Sequence, residues 1–125
     1  MTTRFSKVHL TDEPRQELHD ALALTGAEVS VNTLPAGAAV PFVHAHQKNE
    51  ELYGVLEGKG EFYLDGDVIT IEAGDWIRVA PECHRAIRAA ADSSLRFICI
   101  QTKAKSLEGF TMGDGVLCED KAPWH

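Results

Sequence analysis

From Ala27 onward the chain is divided into runs too short for helices, with turn signals every eight to twelve residues. Pro35-Ala36-Gly37, Gly58-Lys59-Gly60, Asp65-Gly66-Asp67, Ala73-Gly74-Asp75, Ala80-Pro81-Glu82 and Asp92-Ser93-Ser94 mark the breaks. Asp-Gly between two apolar runs is a strong two-residue hairpin signal, because both positions tolerate the positive φ such a turn requires. Between the breaks, apolar residues alternate with polar ones, as Val29, Val31 and Thr33 do with Glu28, Ser30 and Asn32. Further extended runs fall at 40–46, 51–57, 61–64, 68–71, 76–79, 84–89 and 95–101, about eight strands in all. Such spacing predicts an all-β sandwich or barrel over residues 27–101.

The flanks read differently. Residues 1–26 form an N-terminal arm, helical or extended. Asp12-Glu13-Pro14 resembles a helix start, Leu18, Ala21 and Leu22 recur at helical spacing, and Gly26 would end the segment. The tail, 102–125, has Gly109, Gly113, Gly115 and Pro123 and no clear period, and is expected to pack on the outside or over one mouth of the barrel. A chain of 125 residues is a single domain by size, long enough to bury a core without disulfides.

A formal charge of −7 repels phosphate backbones, so nucleic acid is not an expected partner. No run approaches a membrane span, and Arg4, Lys7 and His9 break the apolar core that a signal peptide would need. Cys83, Cys99 and Cys118 are odd in number and form no C-x-x-C, which fits a reducing compartment and a cytoplasmic protein.

The chemistry concentrates in His44-Ala45-His46, then Glu50-Glu51, and later His84. Two histidines two residues apart share a strand face, and a carboxylate across the following turn can reach the same point. Imidazole nitrogens with a carboxylate oxygen make a first shell for a divalent metal. Glu50 and Glu51 point to opposite faces, so only one is a ligand. Tyr53 and Val55 share the parity of Glu51. Phe97, Cys99 and Gln101 alternate with Arg96, Ile98 and Ile100, and the set containing Gln101 is the one assigned to the pocket. Gly54, inside a strand, leaves room for a ligand or a close backbone approach.

These residues resemble the cupin superfamily, the small double-stranded β-helix (jelly-roll) barrels. Its first motif runs from a glycine to H-x-H, then a glutamate, then a second glycine. Here Gly37 is followed after six residues by His44-Ala45-His46, after four more by Glu51, and after six more by Gly58. The second motif is degraded: after Gly74 the proline (Pro81) comes one place late, a glycine is missing, and His84 comes one residue early.

The resemblance implies a double-stranded β-helix with a metal site formed by His44, His46, Glu51 and His84. The metal would be Fe, Mn, Ni, Zn or Cu, with Glu51 also serving as a catalytic base and Tyr53 and Gln101 lining a substrate pocket. If the strand carrying His84 takes the other register, Arg85 faces inward instead; Cys83 is a further substitute. The function implied is action on a small organic molecule, as a dioxygenase or as a Lewis-acid isomerase or lyase. The alternative is a non-catalytic sensor or storage module. A homodimer is also expected, with the 28–34 segment adding to a neighbour's open sheet edge.

Overall fold

A computed structural model describes residues 4–110 and 113–125. In chain order it contains β1 (Arg15–Glu17), α1 (His19–Leu22), β2 (Glu28–Leu34), β3 (Asn49–Leu64), β4 (Asp67–Glu72), β5 (Trp76–Val79), β6 (Arg85–Ala89) and β7 (Leu95–Lys103). All pairings are antiparallel. β1, β2, β7, the first half of β3 and β5 lie side by side, while β4 and β6 flank the second half of β3. The two layers enclose a core of Tyr53, Val55, Phe62, Ile71, Val79, Ile87, Ala89, Leu95 and Phe97. This is the all-β barrel expected from the strand and turn pattern, in the double-stranded β-helix form that the family resemblance implies.

The runs expected at 51–57 and 61–64 are one continuous strand of 16 residues. Gly58-Lys59-Gly60 does not turn the chain. A register shift between Val55 and Glu57 lets β3 pass from one layer to the other. A bulge also exchanges the faces of a strand: Glu51, Tyr53 and Val55 are buried before it, Gly60 and Phe62 after it. Gly58 sits beside this shift with φ of 84°, and a Cβ there would lie 1.8 Å from the Ser94 carbonyl oxygen. The Asp65-Gly66 hairpin forms as expected, joining β3 and β4 with both residues at positive φ.

The stretch at 40–46 is extended but joins no continuous ladder. It meets β6 only at the bridges Ala39–Arg88 and His44–Arg85, with Phe42 and Val43 exposed between them. Pro41, which lacks an N–H, stands where the ladder opens.

The helix expected near Asp12-Glu13-Pro14 does not form there. Arg15–Glu17 is instead a strand on the edge of β2, extended at its ends by Thr33 N–H to the Pro14 carbonyl and Leu18 N–H to the Val29 carbonyl. The open edge of β2 offered hydrogen bonds that a short isolated helix could not match. The helix shrinks to the four residues of α1, and Ala23, at φ of 55°, ends it in place of Gly26. Because β1 covers β2, the 28–34 segment is not a free edge for a neighbour's sheet. Thr102 and Lys103 continue β7 beside β3, and most of the described residues after them are exposed, Leu117 and Trp124 among them. Gly54 makes room for the ring of Trp76 on the outer face, where a Cβ would come within 2.1 Å of it, and not for a ligand inside.

Gly58 and Gly66 both have positive φ, but only Gly58 also lacks room for a Cβ. Gly66→Ala is expected to cost about 1 kcal/mol from backbone strain alone. Gly58→Ala adds a collision with backbone and should cost at least about 2 kcal/mol more. Urea denaturation of the two variants compares them, and equal losses would show that the Ser94 contact yields.

Candidate metal centre

His44 and His46 stand on the extended segment before β3, and their backbones fix where the rings point. His44 exchanges two backbone hydrogen bonds with Arg85, at 3.1 and 3.0 Å, and the His46 N–H donates to the Pro81 carbonyl at 2.8 Å. The rings lie edge to face, with centroids 5.1 Å apart. Glu51, third in β3, points inward and is 5% exposed. The candidate ligand atoms of His44, His46 and Glu51 all lie within 4.8 Å of one another. His46 Nε2 is 3.3 Å from Glu51 Oε2, and His44 Nε2 is 3.7 Å from Glu51 Oε1.

The chemistry of this set fits a divalent cation. His46 Nε2 is buried without a hydrogen-bond partner and faces a carboxylate oxygen, and His44 Nδ1 is also unsatisfied. Orphaned buried polar atoms are uncommon, and a shared ion would satisfy the nitrogen and the oxygen together. Burial pushes the His44 imidazole below its ordinary pKa of 6.5, with Arg85 and His46 acting in the same direction against the opposing pull of Glu51. His44 is therefore neutral at physiological pH, the form that binds metals.

Glu51 is held from several sides. Its Oε1 accepts hydrogen bonds from the Tyr53 hydroxyl at 2.7 Å and Arg85 Nη1 at 2.8 Å, and its Oε2 accepts one from the Cys99 thiol at 3.4 Å. Burial alone would raise its pKa. The Tyr53 hydrogen bond, His46, Cys99 and Arg85 outweigh burial and hold the carboxyl below its ordinary value. Burial and the same carboxylate push the Cys99 thiol up to about 12 and keep the Tyr53 hydroxyl protonated, so both remain donors.

The expectation for His84 is corrected. His84 is exposed and lies outside the cluster, while Arg85, one residue on, is buried at 1% exposure. The register is set by the neighbouring hairpin: His84 N–H donates to Asp65 Oδ1 at 2.8 Å, and Asp65 N–H donates to the His84 carbonyl at 2.9 Å. Arg85 Nη2 completes its contacts on the carbonyls of Ala80 and Pro81. Counting from Gly74 alone, without following the displaced Pro81, puts Arg85 and not His84 at the motif's histidine position. Cys83 is half-buried against the core and takes no part in the cluster. Glu50 faces outward and pairs with Arg78 at 3.0 Å.

A cavity of about 590 Å³ opens beside the three residues. Tyr53 and Gln101 line it, together with Cys99, Phe97 and Phe62. Gln101 is anchored by Asn49, whose Nδ2 donates to its Oε1 at 2.7 Å. The cavity also contains residues not singled out from sequence, Arg15, Ser30 and Asn32.

Arg85→Met should cost about 3–5 kcal/mol near neutral pH, because it leaves a buried carboxylate without its cation. The pH dependence has a definite sign. In the native protein the depressed Glu51 pKa contributes stability present above the ordinary 4.5 and lost as pH falls below it. In Arg85→Met the carboxyl is expected to titrate higher, so protonation relieves the variant. The gap between the two should therefore narrow on acidification, as measured by denaturation of chelator-treated protein from pH 7 to 4. A constant gap would count against the ion pair.

Comparison with known proteins agrees with the geometry. The family model described as Cupin domain matches residues 30–101. A crystal structure of a cupin protein from Bacteroides fragilis superposes with a TM-score of 0.90 at 57% identity, covering 94% of this chain and 99% of that one. A structure from Thermotoga maritima, described as a predicted oxalate decarboxylase, is 26% identical with a TM-score of 0.55, over 62% of this chain and 64% of that one. Uncharacterized protein MJ1618 of Methanocaldococcus jannaschii is 30% identical over 66 residues, 53% of this chain, and the chain spans about half the length of that relative. With the family model covering more than half the sequence and the whole barrel superposing on a crystallised relative, the chain belongs to the cupin family.

Proposed function

We propose that the protein is a metal-dependent enzyme acting on a small organic acid, with one divalent transition metal held by His44, His46 and Glu51. The observation that carries this is the orphaned His46 Nε2 facing Glu51 Oε2 beside an open cavity. With His84 outside the cluster, two imidazoles and one carboxylate remain. That donor set, with open positions, is the one associated with non-haem iron oxygenases. An iron ion there would bring substrate and O₂ together, whereas a redox-silent ion such as zinc would act as a Lewis acid on a carbonyl or carboxylate oxygen. The dioxygenase reading follows from the donor set. The isomerase or lyase reading is favoured by the Thermotoga maritima relative described as a predicted oxalate decarboxylase.

The chain's own residues take distinct parts. Glu51 serves as a ligand and not as the base first expected of it, because a base working near neutrality needs a pKa near neutrality and this carboxyl is held low. Arg85 fixes the direction of that carboxylate. Tyr53 and Gln101 border the substrate space with one hydroxyl and one amide. Phe42, Phe62 and Phe97 limit water around a bound ligand. The three cysteines are unpaired, which supports a reducing compartment such as the cytoplasm. Among the described residues no helix is long and apolar enough to cross a membrane.

We also propose that two copies associate. Leu52, Leu56 and Trp76 are exposed on the outer face of the β5–β3 pair, an apolar patch suited to a second copy of itself.

Elemental analysis of tag-free protein should find one transition metal per chain. His44→Ala/His46→Ala should reduce this to background in a folded barrel, and His84→Ala should leave it unchanged. Metal retained by the double variant would reject the site. Oxygen uptake in the presence of small carboxylic acids then separates a dioxygenase from a redox-silent enzyme or a binding module, which consume none. For the dimer, light scattering should give twice the 13.7 kDa of one chain, and Trp76→Glu should shift the mass to that of the monomer.

A further inference from the structure

Most hydrogen-bond donors around the three candidate ligands are already committed. The Tyr53 hydroxyl, the Cys99 thiol and Arg85 Nη1 all donate to Glu51. Arg85 Nη2 donates to the carbonyls of Ala80 and Pro81, and Arg85 Nε is buried without a partner. Gln101 differs from these. Its Oε1 accepts from Asn49 Nδ2 at 2.7 Å, and its Nε2 takes no partner among the described residues.

The strand register sets that amide beside the candidate ligands. Gln101 stands directly opposite Glu51 in the β3–β7 ladder, where Cβ atoms lie about 5 Å apart, and both side chains line the cavity with His44 and His46. Asn49, two residues before Glu51, is on the diagonal from Gln101 and is not part of the cavity wall. Its hydrogen bond therefore draws the carbonyl end of the Gln101 amide away from the cavity and leaves the amino end turned toward it. Charge favours the same orientation. On its other side Gln101 is opposite Glu28 of β2, so the amide lies between two cavity-lining carboxylates, which would repel a carbonyl oxygen turned their way. Glu28 is itself occupied by the backbone N–H groups of His19 and Val29.

We infer that Gln101 determines specificity at the metal centre: its Nε2 donates to an acceptor atom next to the ligating atom of the bound molecule, and so selects carboxylates over ligands without such an atom. This rests on the metal reading above. A free amide offers either a donor or an acceptor; with Oε1 held by Asn49, only the donor remains. Asn49 is a positioning residue that acts through Gln101.

The test uses full-length protein loaded with Co(II), with metal content measured first, and titrates acetate and thiocyanate by visible absorption. The two anions carry the same charge, but only acetate holds a second oxygen beside its ligating one. The ratio of their affinities therefore reports the hydrogen bond and cancels changes in the charge of the site. Gln101→Met keeps the length of the side chain and should lower the acetate-to-thiocyanate ratio about tenfold or more, the worth of one hydrogen bond to a charged group. Asn49→Asp can only accept, so it should turn the Gln101 amide round and set Oε1 against the acetate oxygen. The ratio should then fall at least as far as in Gln101→Met, with Co(II) content unchanged in both. Asn49→Asp also covers the case in which Gln101→Met does not fold. A native chain that takes up no Co(II) overturns the metal reading and this inference with it. A Co(II)-loaded chain whose spectrum answers to neither anion, or whose ratio stays at the native value in Gln101→Met or in Asn49→Asp, overturns the Gln101 assignment and leaves the metal centre standing.

Discussion

Taking a guanidinium and a carboxylate out of water costs several kcal/mol for each ion, and the cost is offset only when every partner is in place. Arg85 and Glu51 meet that condition at every group but one, Arg85 Nε, which is buried without a hydrogen-bond partner. One end of the guanidinium holds Glu51, the other the carbonyls of Ala80 and Pro81, and the Arg85 backbone is paired with His44. The Pro81 carbonyl in turn accepts the N–H of His46. All three candidate ligands are therefore positioned by a single buried residue: Glu51 by the Arg85 guanidinium, His44 by the Arg85 backbone, and His46 through the Pro81 carbonyl. A carboxylate that shares its charge with a guanidinium also donates less to a metal. An ion bound here would keep more of its positive charge for whatever occupies its open side.

The barrel was legible because its punctuation is chemical. Asp65-Gly66 supplies the positive φ a two-residue hairpin needs, and Gly58 occurs where only a glycine fits. What the sequence hid was decided at longer range. Arg15–Glu17 has helix-like neighbours, yet it pairs with β2 because an open strand edge offered more hydrogen bonds. Gly58-Lys59-Gly60 has turn composition, yet β3 runs through it, because a bulge needs the same glycine freedom as a turn.

The site divides in the same way. His44, His46 and Glu51 come together as their spacing implied, since a short segment and the next strand fix them locally. His84 and Arg85 differ by one residue of register, and what fixed that register was Asp65, nineteen residues away on another turn. Arg15 and Asn32 gave no local signal at all. The alternation of β2 says which residues share a face, but not that the polar face is the interior one; that depends on β7 lying beside it with Cys99 opposite Ser30.

The continuity of β3 carries a consequence for how the molecule comes apart. One strand of 16 residues is hydrogen-bonded in its first half to β5 and β7 and in its second half to β4 and β6. Neither layer can open by itself without tearing a strand the other needs, so local opening is denied a natural seam. Amide protons in both layers should share one slow exchange regime, set by global unfolding. The pocket then rests on a wall that has no partly open state to visit.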